Sequence, residues 1–266
     1  MEFIDCHTHL DSERYDGGVD EVVERARKAG AVVIITSGVN PSTNRKVLEL
    51  SRKYDIVKCS FGLYPVDSIA SQITDDKITD DVLRYIEKFD VDLELKWIED
   101  NVDSCVAIGE IGLDYKIIPG TEELQKVVFV KALRLAKKLD KPVVIHSRKA
   151  EEDAIEIMEE EGMKNVMMHC FSGKKRLVRR CVENGWFLSV PAVITRLDHF
   201  KMLVEITPLE NLVTETDAPY LSPVAGTINE SSNIPITIKE IARIKGLSEE
   251  EVAGVMFNNA KGLFGL

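Results

Sequence analysis

Eight short apolar runs, each separated from the next by an amphipathic stretch, set the strongest limit on how this chain can fold. Strands are predicted to begin or run at 3–9, 31–36, 56–61, 105–108, 142–145, 165–168, 186–190 and 212–214. Runs such as Ala31-Val-Val-Ile-Ile-Thr36 are apolar without alternation, the pattern of strands buried on both faces in a helix-covered parallel sheet. Helical spacing predicts helices over 19–30, 41–54, 122–139, 150–161, 174–184 and 196–206, with two more at 236–245 and 248–258 closing the chain. The segment 74–101 predicts one or two helices from Leu83, Ile86, Leu93, Trp97 and Ile98. The clearest helix, 122–139, places Leu124, Val128, Ala132, Leu135 and Leu139 on one apolar face. Asn40 and Pro41 form a cap and first turn for the helix over 41–54.

Strand and helix alternate without a break in composition, so one domain is expected over 1–266. Such a chain closes as a (β/α)8 barrel or stays open as a doubly wound sheet. No Gly-x-Gly-x-x-Gly follows a strand, which withdraws support from a dinucleotide-binding open sheet. No run reaches the roughly 18 apolar residues of a transmembrane helix, and no basic region followed by an apolar one opens the chain. The expected compartment is the cytoplasm, with no membrane partner. The five cysteines (Cys6, Cys59, Cys105, Cys170 and Cys181) are scattered and odd in number, so reduced packing residues are expected rather than a disulfide framework.

The net charge of −11 excludes a grip on nucleic acid by overall charge. Any handling of a polyanion must be local. One local cluster, Lys174, Lys175, Arg176, Arg179 and Arg180, is a solvated helix face or a phosphate clamp.

Chemistry concentrates at strand ends. His7 and His9 lie two apart in an extended stretch and so point the same way. Alone, such a pair is a metal site or two unrelated polar residues. Jointly the pattern is stronger: Glu110, His146, His169 and Asp217 follow the fourth, fifth, sixth and eighth strands, and four of the five histidines fall in this set. The fifth, His199, reads as an exposed helical residue. In a barrel the C-terminal strand ends converge on one mouth. Six donors exceed the three protein ligands of one catalytic metal. They suit two metals about 3.5–4 Å apart that share a bridging carboxylate, and Glu110 is placed in barrel order to bridge.

The stretches Asp5-x-His7-x-His9, Gly109-Glu-Ile-Gly-Leu-Asp-Tyr115, His146-Ser-Arg148, His169-Cys-Phe-Ser-Gly173 and Glu215-Thr-Asp-Ala-Pro-Tyr-Leu221 resemble the TatD family of metal-dependent deoxyribonucleases, in the family's order and across nearly the whole chain. The resemblance implies an amidohydrolase-type TIM barrel. It implies that His7, His9, Glu110 and Asp217 hold one divalent ion, and Glu110, His146 and His169 a second. It implies a DNA hydrolase, commonly magnesium-dependent and often a 3′-to-5′ exonuclease acting on single strands or 3′ ends. The imidazole-rich set also suits zinc or manganese.

Phosphodiester hydrolysis needs an activated water and relief of negative charge, which a metal pair supplies. Asp217 is the candidate proton acceptor, with Glu110 as the other catalytic carboxylate. Arg148 either contacts a phosphate or forms a surface ion pair. Ser172 and Gly173, expected to open the helix after the sixth strand, either present N–H groups to an anion or merely cap it. Asp114 either orients a neighbour or only starts a loop. Two departures stand out. Tyr64, a candidate substrate contact, replaces a family histidine, and Ile228 stands where the family carries a cation. They leave open a metallohydrolase of a small amide, lactone or phosphoester, and a binding module without catalysis. The intact ligand set opposes the last. None of these motifs specifies an oligomeric state.

Overall fold

The structure, a computed structural model, describes residues 1–15, 18–74 and 86–266. Its sheet holds eight parallel strands in sequence order: β1 (Phe3–Thr8), β2 (Ala31–Ser37), β3 (Val57–Leu63), β4 (Cys105–Asp114), β5 (Val143–Arg148), β6 (Val166–Met168), β7 (Phe187–Pro191) and β8 (Leu212–Glu215). Between them run α1 (Val19–Ala29), α2 (Pro41–Lys53), α3 (Pro65–Ile69), α4 (Val91–Asp100), α5 (Glu122–Lys138), α6 (Glu151–Glu160), α7 (Lys175–Glu183) and α8 (Asp198–Ile206), followed by α9 (Ile234–Lys245) and α10 (Glu249–Phe264). This is the expected TIM barrel. Leu83, assigned to a helix from the sequence, lies outside the described residues, and α3 had no sequence signal beyond Pro65.

The inside of the barrel is a small apolar plug. Ile4, Cys6, Ile35, Ala107, Val144, Met167 and Val213 meet there, and Ala260, Leu263 and Phe264 of α10 seal it from below. Because the plug fills the barrel, polar donors are confined to the opposite end. The larger apolar layer lies between strands and helices. Local signals match local structure: Asn40 caps α2 in a capping box with Thr43, and Pro41 opens the helix.

One expectation about packing fails instructively. Leu124 is 38% exposed, while Gln125, 1% exposed, faces inward. Its amide accepts the Asp114 N–H at 2.7 Å and donates to the Asp114 carbonyl at 2.9 Å. A buried amide that satisfies two backbone groups removes the penalty of burying it.

The seam between β8 and β1 closes by other means than a regular ladder. Thr214 Oγ1 donates to Ile4 O at 2.7 Å. The buried Asp5 carboxylate accepts the Thr216 N–H at 2.9 Å and its hydroxyl at 2.6 Å. Above them, Asp217 N–H donates to His7 O at 3.0 Å and His9 N–H to Ala218 O at 2.7 Å. These bonds set the first and last strands side by side at the mouth.

Candidate metal centre

The seam places His7 and His9 beside Asp217, and β4 delivers a carboxylate from across the barrel. The sequence puts Glu110 beyond a strand ending at Ile108, whereas β4 continues to Asp114 and Glu110 lies within it. The register slips there on both sides: Phe61 pairs Ile108 and Leu63 pairs Ile111, while Ile108 pairs Val143 and Ile111 pairs Ile145. One extra residue on β4 is a bulge, a device that re-aims a side chain. Gly62 makes room for it, since a Cβ there would stand 2.2 Å from Glu110 N.

Four donor atoms face one another at nearly equal spacing. His7 Nε2 lies 3.3 Å from His9 Nε2, 3.6 Å from Glu110 Oε2 and 3.6 Å from Asp217 Oδ1. His9 Nε2 lies 3.5 Å from each of the same two oxygens. Donors about 2.1 Å from a tetrahedral cation stand about 3.4 Å apart. Five edges of this donor set therefore match a small divalent ion, and its chemistry of two imidazoles and two carboxylates fits such an ion as well.

Glu110 divides its two oxygens. While Oε2 faces His7 and His9, Oε1 faces His146 Nδ1 at 2.7 Å and His169 Nε2 at 3.9 Å. His169 Nε2 is also 3.9 Å from Asp217 Oδ1. The His7 and His169 rings lie 3.9 Å apart, so His7 sits between the two halves. The structure brings all six expected donors together, and two overlapping groups, His7/His9/Asp217 and His7/Glu110/His169, have every donor within 4.8 Å of the others.

A second layer aims the rings. His9 Nδ1 donates to Ser37 O at 3.2 Å, which leaves Nε2 as the lone-pair nitrogen. Ser37 Oγ lies 3.1 Å from His7 Nδ1. His169 Nδ1 donates to Glu215 Oε2 at 2.8 Å, and Glu215 Oε1 accepts the Cys170 N–H at 3.0 Å. His146 is turned the other way: Nε2 lies 3.0 Å from Asp114 Oδ2, so Nδ1 faces Glu110. Asp114 is itself pinned, with Oδ1 accepting the N–H groups of Lys116 and Ile117 at 3.0 Å and Oδ2 accepting the Tyr64 hydroxyl at 2.8 Å. Thus Asp114 orients a neighbour rather than merely opening a loop. Such outer partners fix ring orientation and raise ligand basicity. The sequence reading gave no role to Glu215, Ser37 or Gln125; only the motif around Asp217 pointed near one of them.

Protonation follows the packing. Burial alone would lower His146, but hydrogen bonds to Asp114 and Glu110 outweigh it and raise it to about 9. His169 is likewise opposed by burial yet raised to about 10 by Glu215 and Asp217. His7, buried against His169, is held well below the usual histidine value. Glu110 resists its burial and stays well below the usual carboxylate value through His146 and the other imidazoles. The cluster therefore holds ionised carboxylate beside imidazolium, and a cation must displace protons to enter.

The three expected substrate contacts differ in placement. Tyr64 sits over His146, ring centroids 4.8 Å apart. Arg148 lies at the rim, 44% exposed, with Nη1 4.0 Å from Asp114 Oδ2. Ser172 does not open a helix. Its hydroxyl donates to Glu151 Oε1 at 2.9 Å, and α7 begins only at Lys175. The chain first folds over buried Phe171, where a Cβ on Gly173 would stand 2.4 Å from the ring. Gly173 thus serves close packing, and the N–H groups expected at Ser172 and Gly173 are not those of a helix start. His199 is half-buried rather than exposed, with Nε2 donating to Phe171 O at 3.0 Å. Four non-glycine residues near the mouth, Lys149, Cys170, Asp217 and Leu221, adopt left-handed φ of 59°, 44°, 55° and 51°, a strain that recurs at functional sites.

Comparison with known proteins agrees with this geometry. The sequence profile described as TatD related DNase matches residues 4–265. A metal-dependent hydrolase of Methanocaldococcus jannaschii is 36% identical over 99% of this chain and 97% of its own length. The deoxyribonuclease TATDN3 of Homo sapiens is 35% identical over 98% of this chain and 94% of its own. Among solved structures, a TatD homologue from Escherichia coli superposes with a TM-score of 0.85 at 25% identity, covering 99% of this chain and 98% of that one. The chain belongs to the TatD family and is a metal-dependent hydrolase of that family.

Proposed function

We propose that the chain hydrolyses phosphodiester bonds at DNA ends with two divalent ions, acting as a 3′-to-5′ exonuclease. The observation that carries this reading is the division of Glu110, one oxygen toward His7 and His9 and the other toward His146 and His169. A carboxylate so shared is what a two-metal site needs. His7, His9, Glu110 and Asp217 would hold one ion, and Glu110, His146 and His169 the other. The imidazole-rich set suits zinc or manganese, and the family resemblance adds magnesium.

When bound, the ions supply Lewis acidity that makes water nucleophilic and offsets phosphoryl charge. The chain's own residues do the rest. Asp217, beside the first pair of imidazoles, takes the proton of the attacking water. Glu110 keeps the two halves in register. The Tyr64 hydroxyl and the Arg148 guanidinium flank the substrate side, while Glu215 and Asp114 hold the imidazoles in fixed tautomers. The DNA-acting name of a relative 35% identical supports the substrate class.

The test is cleavage of single-stranded oligonucleotides blocked at the 3′ or the 5′ end, with added magnesium, manganese or zinc. Metal-dependent loss of nucleotides from 5′-blocked but not 3′-blocked strands is expected. Metal binding without cleavage of either strand would favour a small amide, lactone or phosphoester substrate instead.

A further inference from the structure

Resting on the nuclease reading, we infer that the exposed cations around the ends of β5 and β6 form the track for the single strand beyond the metal centre. The two loops are neighbours. β5 pairs β6, Ser172 Oγ meets Glu151 Oε1 at 2.9 Å, and Arg176 meets Glu152 at 2.6 Å. Arg148 ends β5 and Lys149 follows it, while Lys174 precedes α7 and Lys175 opens it, all exposed. Arg179 follows Lys175 by one helical turn.

Most acids of this sector are already paired with cations, and Glu151 meets the Ser172 hydroxyl instead. Glu152 pairs with Arg176, Asp153 with Lys126 at 2.9 Å, and Glu156 and Glu159 with Arg180. Among the described residues, no carboxylate lies within 4.0 Å of Lys149, Lys174, Lys175 or Arg179, and Arg148 reaches only Asp114, at 4.0 Å. The cluster seen in the sequence thus splits in two. Arg176 and Arg180 belong to internal ion pairs, while the remaining cations face solvent.

Two further observations point the patch at a ligand. Lys149 stands in a left-handed turn directly after β5, which carries it off the line of the strand beside the donors. The charge is also a local reversal in a chain of net charge −11, so this patch attracts phosphate against the sign of the chain as a whole. Three of the donors are buried, with Glu110 3% and His169 6% exposed, and His9, His146 and Asp217 are half-buried at the mouth. A phosphodiester must therefore enter the mouth as an unpaired strand, and its upstream phosphates then cross these cations.

The test is binding of a short fluorescein-labelled phosphorothioate thymidine strand to the full chain, by anisotropy across a salt series. Lys149→Glu, Lys174→Glu and Lys175→Glu together should weaken binding about tenfold or more at low salt and flatten the salt slope by about 2, at about 0.7 per phosphate contact on a single strand. Lys28→Glu with Lys164→Glu, on the opposite end of the barrel, should change neither. Equal losses in both variants, or wild-type binding by the triple variant, would overturn the track alone. Failure of the wild-type protein to bind the strand would overturn the nuclease reading and the track with it.

Discussion

Replacing Glu215 by glutamine keeps the volume of a buried side chain and reverses one hydrogen bond. Glu215 Oε2 accepts the His169 Nδ1–H at 2.8 Å and Oε1 accepts the Cys170 N–H at 3.0 Å. Whichever way a glutamine amide turns, its NH2 group meets one of these donors. A buried donor without a partner costs about 1–3 kcal/mol. If His169 escapes by shifting its proton to Nε2, the nitrogen that faces Glu110 and Asp217 can no longer accept a metal. Loss of an outer partner of this kind lowers metal affinity about 10- to 100-fold. Competition titration of the metal-free protein against a chromophoric chelator reads the affinity. A melting curve reads the fold, which should lose no more than about 12 °C at about 2–4 °C per kcal/mol for a chain of this size. Unchanged affinity and stoichiometry for both ions would refute the claim that Glu215 sets the His169 tautomer.

Other outcomes follow from the same geometry. Asp114→Asn should lower affinity chiefly for the ion held with His146, since Asp114 Oδ2 faces Nε2 of that ring; the chelator titration measures it. Tyr64→Phe removes one hydrogen bond to Asp114 and should cut turnover about three- to tenfold, the equivalent of about 1 kcal/mol, with metal content unchanged. Gly62→Ala would put a Cβ 2.2 Å from Glu110 N. Backbone crowding of that kind costs about 3 kcal/mol, and both metal uptake and the melting temperature should fall. If Gly62→Ala takes up metal like the wild type, the bulge does not aim Glu110.

The fold was largely legible, because apolar runs and helical spacing report burial directly. So was the convergence of the six expected donors, because strand ends mark the mouth of the barrel. The position of Glu110 within β4 was not. A bulge adds one residue without changing composition, and only the pairing of β4 with β3 and β5 exposes it. Gln125 and Leu124 exchanged places for a related reason: apolar periodicity cannot weigh the two Asp114 backbone groups that the buried amide satisfies. The late start of α7 depended on Phe171 turning under the chain, a tertiary contact. The split of the basic cluster depended on which acids of α6 stand opposite it.

Everything rests on a single carboxylate serving two ions. Elemental analysis of purified protein after dialysis against zinc or manganese, compared with Glu110→Ala, tests that most directly. Two ions per wild-type chain and loss from both sites in the variant are expected. Retention of one full ion by Glu110→Ala, or a single ion in the wild type, would contradict the shared centre.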